Sequence, residues 1–325
     1  VSQAPAAGGD WQPSASLAAL RQWAELLSRV RAFFARRALL EVTTPLLCTT
    51  TATDPQLVSF VVTEGEPLPR FLQTSPELAM KRLLAAGSGP IYQIAKAFRQ
   101  HERGARHNPE FHLLEWYRPG FSLERLMDEV AELVAELTGR HHFERLSYRT
   151  LFARHLDLDP FATPTEELEH TARRQIDLGP TVAGDRQFWL DLLLTHLIEP
   201  RLASIPALFI HDYPPEQAAL ARLRRDECGV WVAARFELYL DGIEIANGYD
   251  ELTDADEQRR RFIADNQRRQ QQGQPQLPVD ERLLAALAAG LPATAGVALG
   301  LERLAMAATG QRRIDEVLAF TFERA

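Results

Sequence analysis

Lysine is nearly missing from this 325-residue chain: Lys81 and Lys96 are its only two, so almost all of its positive charge is arginine. Codon usage accounts for such a bias, and it excludes nothing by itself. Cysteine is equally scarce. Cys48 and Cys228 lie far apart and form no C-x-x-C motif, and they read as reduced core thiols of a cytoplasmic protein. No run of about 18 apolar residues occurs, which excludes a membrane-spanning helix. The opening "VSQAPAAGGDWQPSAS" has no basic segment followed by an apolar one. It is expected to be a flexible tail to about Asp10 rather than a secretory signal. A formal charge of -8 argues against a broad nucleic-acid-binding face while allowing a local basic site.

With 46% hydrophobic and 25% charged residues, the chain can bury a substantial core as one large domain or two small ones. Leu17, Leu20, Trp23, Leu27, Val30 and Phe34 recur at helical spacing and predict a helix over 16–38. "LLEVTTPLL" is extended and ends around Pro45; "QLVSFVVTE" and "RFLQT" read as strands. "TSPELAMKRLLAAG" predicts a helix with Ser75 as N-cap, Pro76 at the first position and Gly87 as the stop. "IYQIAKAFR" and "FHLLEWYR" read as strands, and 122–138 as a helix. From about 140 to 228 the pattern is helical and loop-rich, expected as an insertion with few strands, and "DRQFWLDLLLTHLIEPRL" is its clearest helix. Strand character returns in "RFELYLDGIEIANGYDEL", with turn signals at Asp241-Gly242 and Asn247-Gly248. A polar helix over 253–272 and an apolar strand running into a helix in "AGVALGLERLAMAATG" complete the chain. Hairpins at both ends with helices between predict an α+β fold on an antiparallel sheet.

Three constellations could carry chemistry. In "FRQHERGARHNPEFHLLEWY" a cationic loop separates two apolar strands. Arg99 at a strand end could grip phosphate oxygens in two-point geometry, and Phe111 offers a flat face; a solvated hairpin tip fits the spacing as well. In "GIEIANGYDEL", Glu244 and Glu251 stand seven apart across the expected Asn-Gly turn and could hold Mg²⁺ beside phosphates, or be ordinary surface acids. In "GVALGLER", Gly300 permits close backbone approach to a ligand and Arg303 lies one turn into the next helix. The His141-His142 pair lacks a third ligand, and Ser75 has no His and Asp partners to make it a nucleophile.

In this order the three constellations resemble the signature of class II aminoacyl-tRNA synthetases. "FR…HNPEFHLLEWY" resembles motif 2 and "GVALGLER" motif 3. "RRALLEVTTPLL" resembles motif 1, which forms the dimer interface in that family. The TSPE, HNPEF and E-x-x-NG-x-x-EL details are similar to the lysine branch, from about Trp11 to Ala325. Only ten residues precede Trp11, too few for that branch's anticodon-binding barrel. The chain is in this respect similar to the synthetase paralogues that ligate (R)-β-lysine to a lysine of elongation factor P.

The resemblance implies ATP-dependent activation of (R)-β-lysine or lysine as an adenylate, then transfer to a protein amine rather than to tRNA. It implies a cytoplasmic homodimer built through motif 1. Arg99 and Arg303 would be catalytic. Gln100, His101, His107, Asn108, Phe111, Glu244, Ile245 and Gly300 would bind ATP, with Mg²⁺ on Glu244 and Glu251. Ser75, Pro76, Glu77, Glu115, Tyr117, Asn247, Glu251 and Ala298 would line the amino-acid pocket.

Two departures stand out. "FRQH" replaces the family's FRNE, so His101 stands where a glutamate helps read adenine, and Glu102 could substitute. Ala298 replaces a glycine usual in lysyl-tRNA synthetases, and its methyl is expected to disfavour α-lysine. A stand-alone tRNA aminoacylase, an amide synthetase and a non-catalytic amino-acid sensor remain alternatives.

Overall fold

The computed structural model of the chain describes residues 11–63 and 69–325. The tail expected over residues 1–10 lies outside the described residues. Ser16 caps helix α1 (Leu17–Arg36) by accepting the Ala19 N–H, and the helix buries Leu26, Val30, Phe33 and Phe34. Strands β1 (Leu40–Glu41), β2 (Leu47–Cys48), β3 (Val61–Val62) and β4 (Arg70–Leu72) follow. They keep only two or three paired residues each, fewer than "QLVSFVVTE" and "RFLQT" suggested, and β2, β4 and β3 form a small sheet of their own.

Helix α2 (Glu77–Ala85) leads to β5 (Ile91–Phe98), β6 (Glu110–Pro119) and α3 (Leu123–Thr138). Next come β7 (Glu144–Ser147), α4 (Tyr148–Leu156), α5 (Thr165–Gln175), α6 (Arg186–Leu193) and α7 (Glu199–Leu202). The long helix expected over 185–202 is broken between α6 and α7 by a π turn, Leu194–Ile198. Pro200 explains the break, because it donates no N–H and its ring crowds the carbonyl four residues back. The chain continues through β8 (Ala207–Tyr213), β9 (Leu223–Arg225), β10 (Trp231–Leu240), β11 (Ile243–Asp250), α8 (Ala255–Gln271), α9 (Glu281–Gly290), β12 (Thr294–Gly300) and α10 (Leu301–Thr309).

The main sheet runs β1-β5-β6-β12-β11-β10-β8-β7, with β9 beside β10. From β5 to β8 every neighbour is antiparallel, as expected; β1 and β7 add parallel edges. The region read as a helical insertion supplies three of these strands. The apolar run of β8, buried from Ala207 to Ile210, has no two-residue alternation, so it could not be told from a buried helix.

Alternation gives the sheet two unlike faces. Leu114 and Trp116, Phe236 and Leu238, and Val297 and Leu299 enter the apolar core beneath α1, α3 and α10. Their neighbours Glu115 and Tyr117, Glu237 and Tyr239, and Gly296 and Ala298 line a cavity on the opposite face.

The two turn signals part company in β10–β11. Asp241 (φ 49°) and Gly242 (φ 74°) form the two-residue hairpin turn. Asn247-Gly248 is not a turn: both lie inside β11, opposite Glu237 and Phe236. Gly248 is needed for packing, because a Cβ there would lie 2.3 Å from the Phe236 ring. A register shift between Leu238 and Tyr239 pairs them with Ala246 and Glu244, skipping Ile245. This bulge reverses the parity of β11, so Glu244 stands opposite Tyr239, which lines the cavity as Asn247 and Tyr249 do. Gly248→Ala is expected to destabilise the fold by ~1–3 kcal/mol by overpacking against Phe236, measured by urea denaturation.

Candidate active site

The charged face of the sheet floors a cavity of about 1320 Å³. All the sequence-predicted site residues line it except Gln100 and His101. His101 is exposed with φ 66°, and the Gln100 N–H is spent on the Val58 carbonyl at 2.7 Å. Glu102 lines the cavity instead, 3.4 Å from Arg99.

Arg99 directly follows β5. Its Nε donates to the Thr74 carbonyl at 3.3 Å, and its guanidinium lies over the Phe111 ring, 5.1 Å from the centroid. Arg303 reaches the same cavity from α10, which begins with no residue between it and β12. Its Nη1 donates to the Glu244 carbonyl at 2.8 Å and lies 3.4 Å from Glu244 Oε2; its Nη2 meets His107 Nε2 at 2.6 Å. Burial, then the Arg303 charge, lowers the His107 pKa, so the ring is neutral and Nε2 accepts from Arg303. His107 thus steers Arg303. Asn108 braces the backbone: its amide nitrogen donates to the Glu110 carbonyl at 2.6 Å and its oxygen accepts the Phe322 N–H at 2.9 Å. The side chain still lines the cavity while it does so. At Gly300 a Cβ would meet nothing closer than 3.8 Å, so the fold itself does not demand glycine there, and the position leaves room in the cavity.

The carboxylates form a second group. Ser75 is not a simple N-cap: its hydroxyl accepts the Glu77 N–H at 3.0 Å and donates to Glu115 Oε1 at 2.5 Å, and the helix is counted from Glu77. Tyr117 donates to Glu115 Oε2 at 3.2 Å. Glu115 is 1% exposed; burial, with the nearby charge of Glu77, pushes its carboxyl up to about 8. Asn247 Oδ1 accepts from Arg235 Nε at 3.1 Å, and Arg235 also pairs with Glu237. Ala298 sits on the cavity floor between Asn247 and Glu115 on the flanking strands.

Lys81 was missed. Its ammonium lies 2.6 Å from both Glu77 and Glu251 and is 1% exposed. Burial alone would lower its pKa, but the Glu251 and Glu77 carboxylates raise it well above the lysine range. The four-residue Glu77–Lys81 spacing on one helix was the available signal. Glu244 and Glu251, the carboxylates expected to share a magnesium ion, both line the cavity. Burial raises the Glu251 pKa against the pull of the Lys81 ammonium, and it raises the Glu244 pKa with the Glu237 charge adding to the rise. Among the described residues, no group of three or more His, Cys, Asp or Glu side chains is arranged to hold a metal ion.

The raised Glu115 pKa has a definite sign in stability. The folded chain keeps this proton where the unfolded chain has lost it, so the group's contribution is greatest below the unfolded value and is lost as pH rises toward about 8. Between those limits the slope is roughly 1.4 kcal/mol per pH unit. Urea denaturation across this range is expected to show a shallower fall in stability for Glu115→Gln than for the wild type.

Over residues 10–324 the chain matches the family model described as tRNA synthetases class II (D, K and N). A protein of Proteus mirabilis (strain HI4320) named elongation factor P–(R)-beta-lysine ligase is 47% identical over 323 residues, covering 97% of this chain and 98% of its own. Proteins of the same name from Edwardsiella ictaluri (strain 93-146) and Pectobacterium carotovorum subsp. carotovorum (strain PC1) are 46% and 45% identical over the same shares of each chain. Among the described residues, no helix is long and apolar enough to cross a membrane. The match over nearly the full chain, on a sheet that brings the motif 2 and motif 3 arginines to one cavity, makes this protein a member of the class II tRNA synthetase family.

Proposed function

We propose that the chain uses ATP to activate (R)-β-lysine and ligates it to a lysine ε-amine of translation elongation factor P. The observation that carries this reading is the pairing of two arginines with a buried carboxylate set in one cavity. Phosphate needs the first and a diamino acid the second.

In the first step the substrate carboxylate attacks the α-phosphorus of ATP, pyrophosphate leaves, and an aminoacyl adenylate remains. Negative charge gathers on the phosphoryl oxygens, and guanidinium groups already fixed in place stabilise it most. Arg99 is held for this by Thr74, Glu102 and Phe111, and Arg303 by His107 and Glu244. Adenine packs on Phe111 and Ile245, with the backbone of Gly300 giving it room. Mg²⁺ would be held by Glu244 and Glu251, and would neutralise phosphate charge. Glu77, Glu115 and Glu251 receive the two ammonium groups, helped by Tyr117 and Asn247, with Ser75 and Pro76 closing the wall. In the second step the acceptor amine attacks the adenylate carbonyl, an amide forms, the amine loses its proton and AMP leaves.

The relatives' shared name favours this acceptor over tRNA, and the presence of both arginines disfavours a non-catalytic role. The exposed leucines of the motif 1 segment, Leu40, Leu46 and Leu47, support a homodimer through that face. The cytoplasmic location belongs to the same reading.

Intact-mass analysis of elongation factor P after incubation with enzyme, ATP and (R)-β-lysine should show one lysyl addition; an unmodified factor, with label on RNA instead, overturns the reading. Arg99→Ala and Arg303→Ala should each lower ATP–pyrophosphate exchange by ~10³-fold or more with the fold intact by circular dichroism. Ala298→Gly should move the exchange preference from the β toward the α isomer of lysine, and an unchanged preference removes the pocket-floor role.

A further inference from the structure

Lys81 has no part in the reaction as described, yet it sits where the substrate's charges must be read. Its ammonium is buried and touches one oxygen of each of two acids, Glu77 Oε1 and Glu251 Oε2, both at 2.6 Å. The acids come from different elements. Glu77 opens α2, one turn before Lys81, and Glu251 directly follows β11, paired across a bridge to Ala221. No direct hydrogen bond between them fixes their separation. Lys81 donates a hydrogen bond to Glu77 and forms an ion pair with Glu251, so the two contacted oxygens can be no farther apart than the two contacts end to end.

The oxygens turned away from Lys81 are constrained in turn. Glu251 Oε1 lies over Gly296 beside the Tyr117 ring, so tightly that a Cβ at Gly296 would come within 2.3 Å of the oxygen and 2.4 Å of the ring. Glu77 has a side chain 19% exposed and lines the cavity. Two neighbouring carboxylates without an intervening cation would repel, and would move apart or share a proton. With the ammonium between them, each keeps one oxygen occupied and presents the other in a set direction.

We propose that Lys81 is a positioning residue: by tying Glu77 to Glu251 it sets the distance between the carboxylate oxygens that read the two amino groups of the substrate, and so selects diamino acids by amine spacing. This inference rests on the function proposed above. It assigns Lys81 no contact with the reacting atoms. It differs from a simple counter-ion role, in which any cation of similar size would serve equally well.

The test is steady-state ATP–pyrophosphate exchange with (R)-β-lysine and with a β-diamino acid one methylene shorter, for wild type, Lys81→Met and Lys81→Arg, each checked by thermal denaturation. Lys81→Arg keeps the charge but replaces a point-like ammonium with a planar fork, so it keeps the site compensated while altering the spacing. Both variants are expected to raise the KM for (R)-β-lysine about tenfold or more while leaving the KM for ATP within about twofold. The kcat/KM ratio between the two diamino acids is expected to shift by about tenfold, the scale of one methylene in a fitted pocket. If Lys81→Met fails to fold, Lys81→Arg alone decides. A folded Lys81→Arg with wild-type KM and an unchanged ratio overturns the inference and leaves Lys81 a counter-ion. A wild type without exchange on any diamino acid overturns the proposed function, and this inference with it; that failure is distinct because it appears before any substitution is made.

Discussion

A β-strand shows its side chains to two sides in turn, and this chain uses that constraint to build a core and a charged cavity from the same residues. Trp116 and Glu115 are neighbours in sequence; one is buried under α1 and α3, and the other faces the site. Because the faces are locked together, the site cannot shift without shifting the core. Where alternation would send Glu244 to the wrong side, a single skipped residue at Ile245 restores it. The bulge thus keeps Glu244 on the cavity floor.

Electrostatics then divides the floor into two districts. Around Arg99, Arg303 and Glu244 the groups are partly exposed and held by backbone carbonyls and a neutral histidine, an arrangement suited to an anion that comes and goes. Around Glu77, Glu115 and Glu251 burial is deeper, and charge is met by protonation or by the chain's own ammonium. Burying a carboxylate costs several kcal/mol unless it is compensated, so each acid in this district carries its own remedy.

Much of this was legible in the sequence. The amphipathic helix α1, the β5–β6 pair around the cationic loop, and the strand-to-helix join at Gly300 follow from periodicity and punctuation. The motif order assigned residues to the site that no single spacing could. What could not be read had physical causes. Strand β8 is buried on both faces and lacks alternation. Asn247-Gly248 is a strong turn signal overridden by tertiary packing, since Gly248 is there for the Phe236 ring. Lys81 shows the limit for single side chains: its second partner is an acid 170 residues later in the chain.

The scarcity of lysine, whose origin codon usage accounts for, has a chemical consequence beside the ion pairs of the two that remain. Lys81 is clasped by Glu77 and Glu251, and Lys96 lies 2.8 Å from Glu110. An enzyme that forms the adenylate proposed above faces the hazard of acylating its own surface. Guanidinium groups, which stay protonated, do not compete as nucleophiles. By carrying its positive charge on them, this chain would offer the adenylate proposed above almost no side-chain amine of its own to attack.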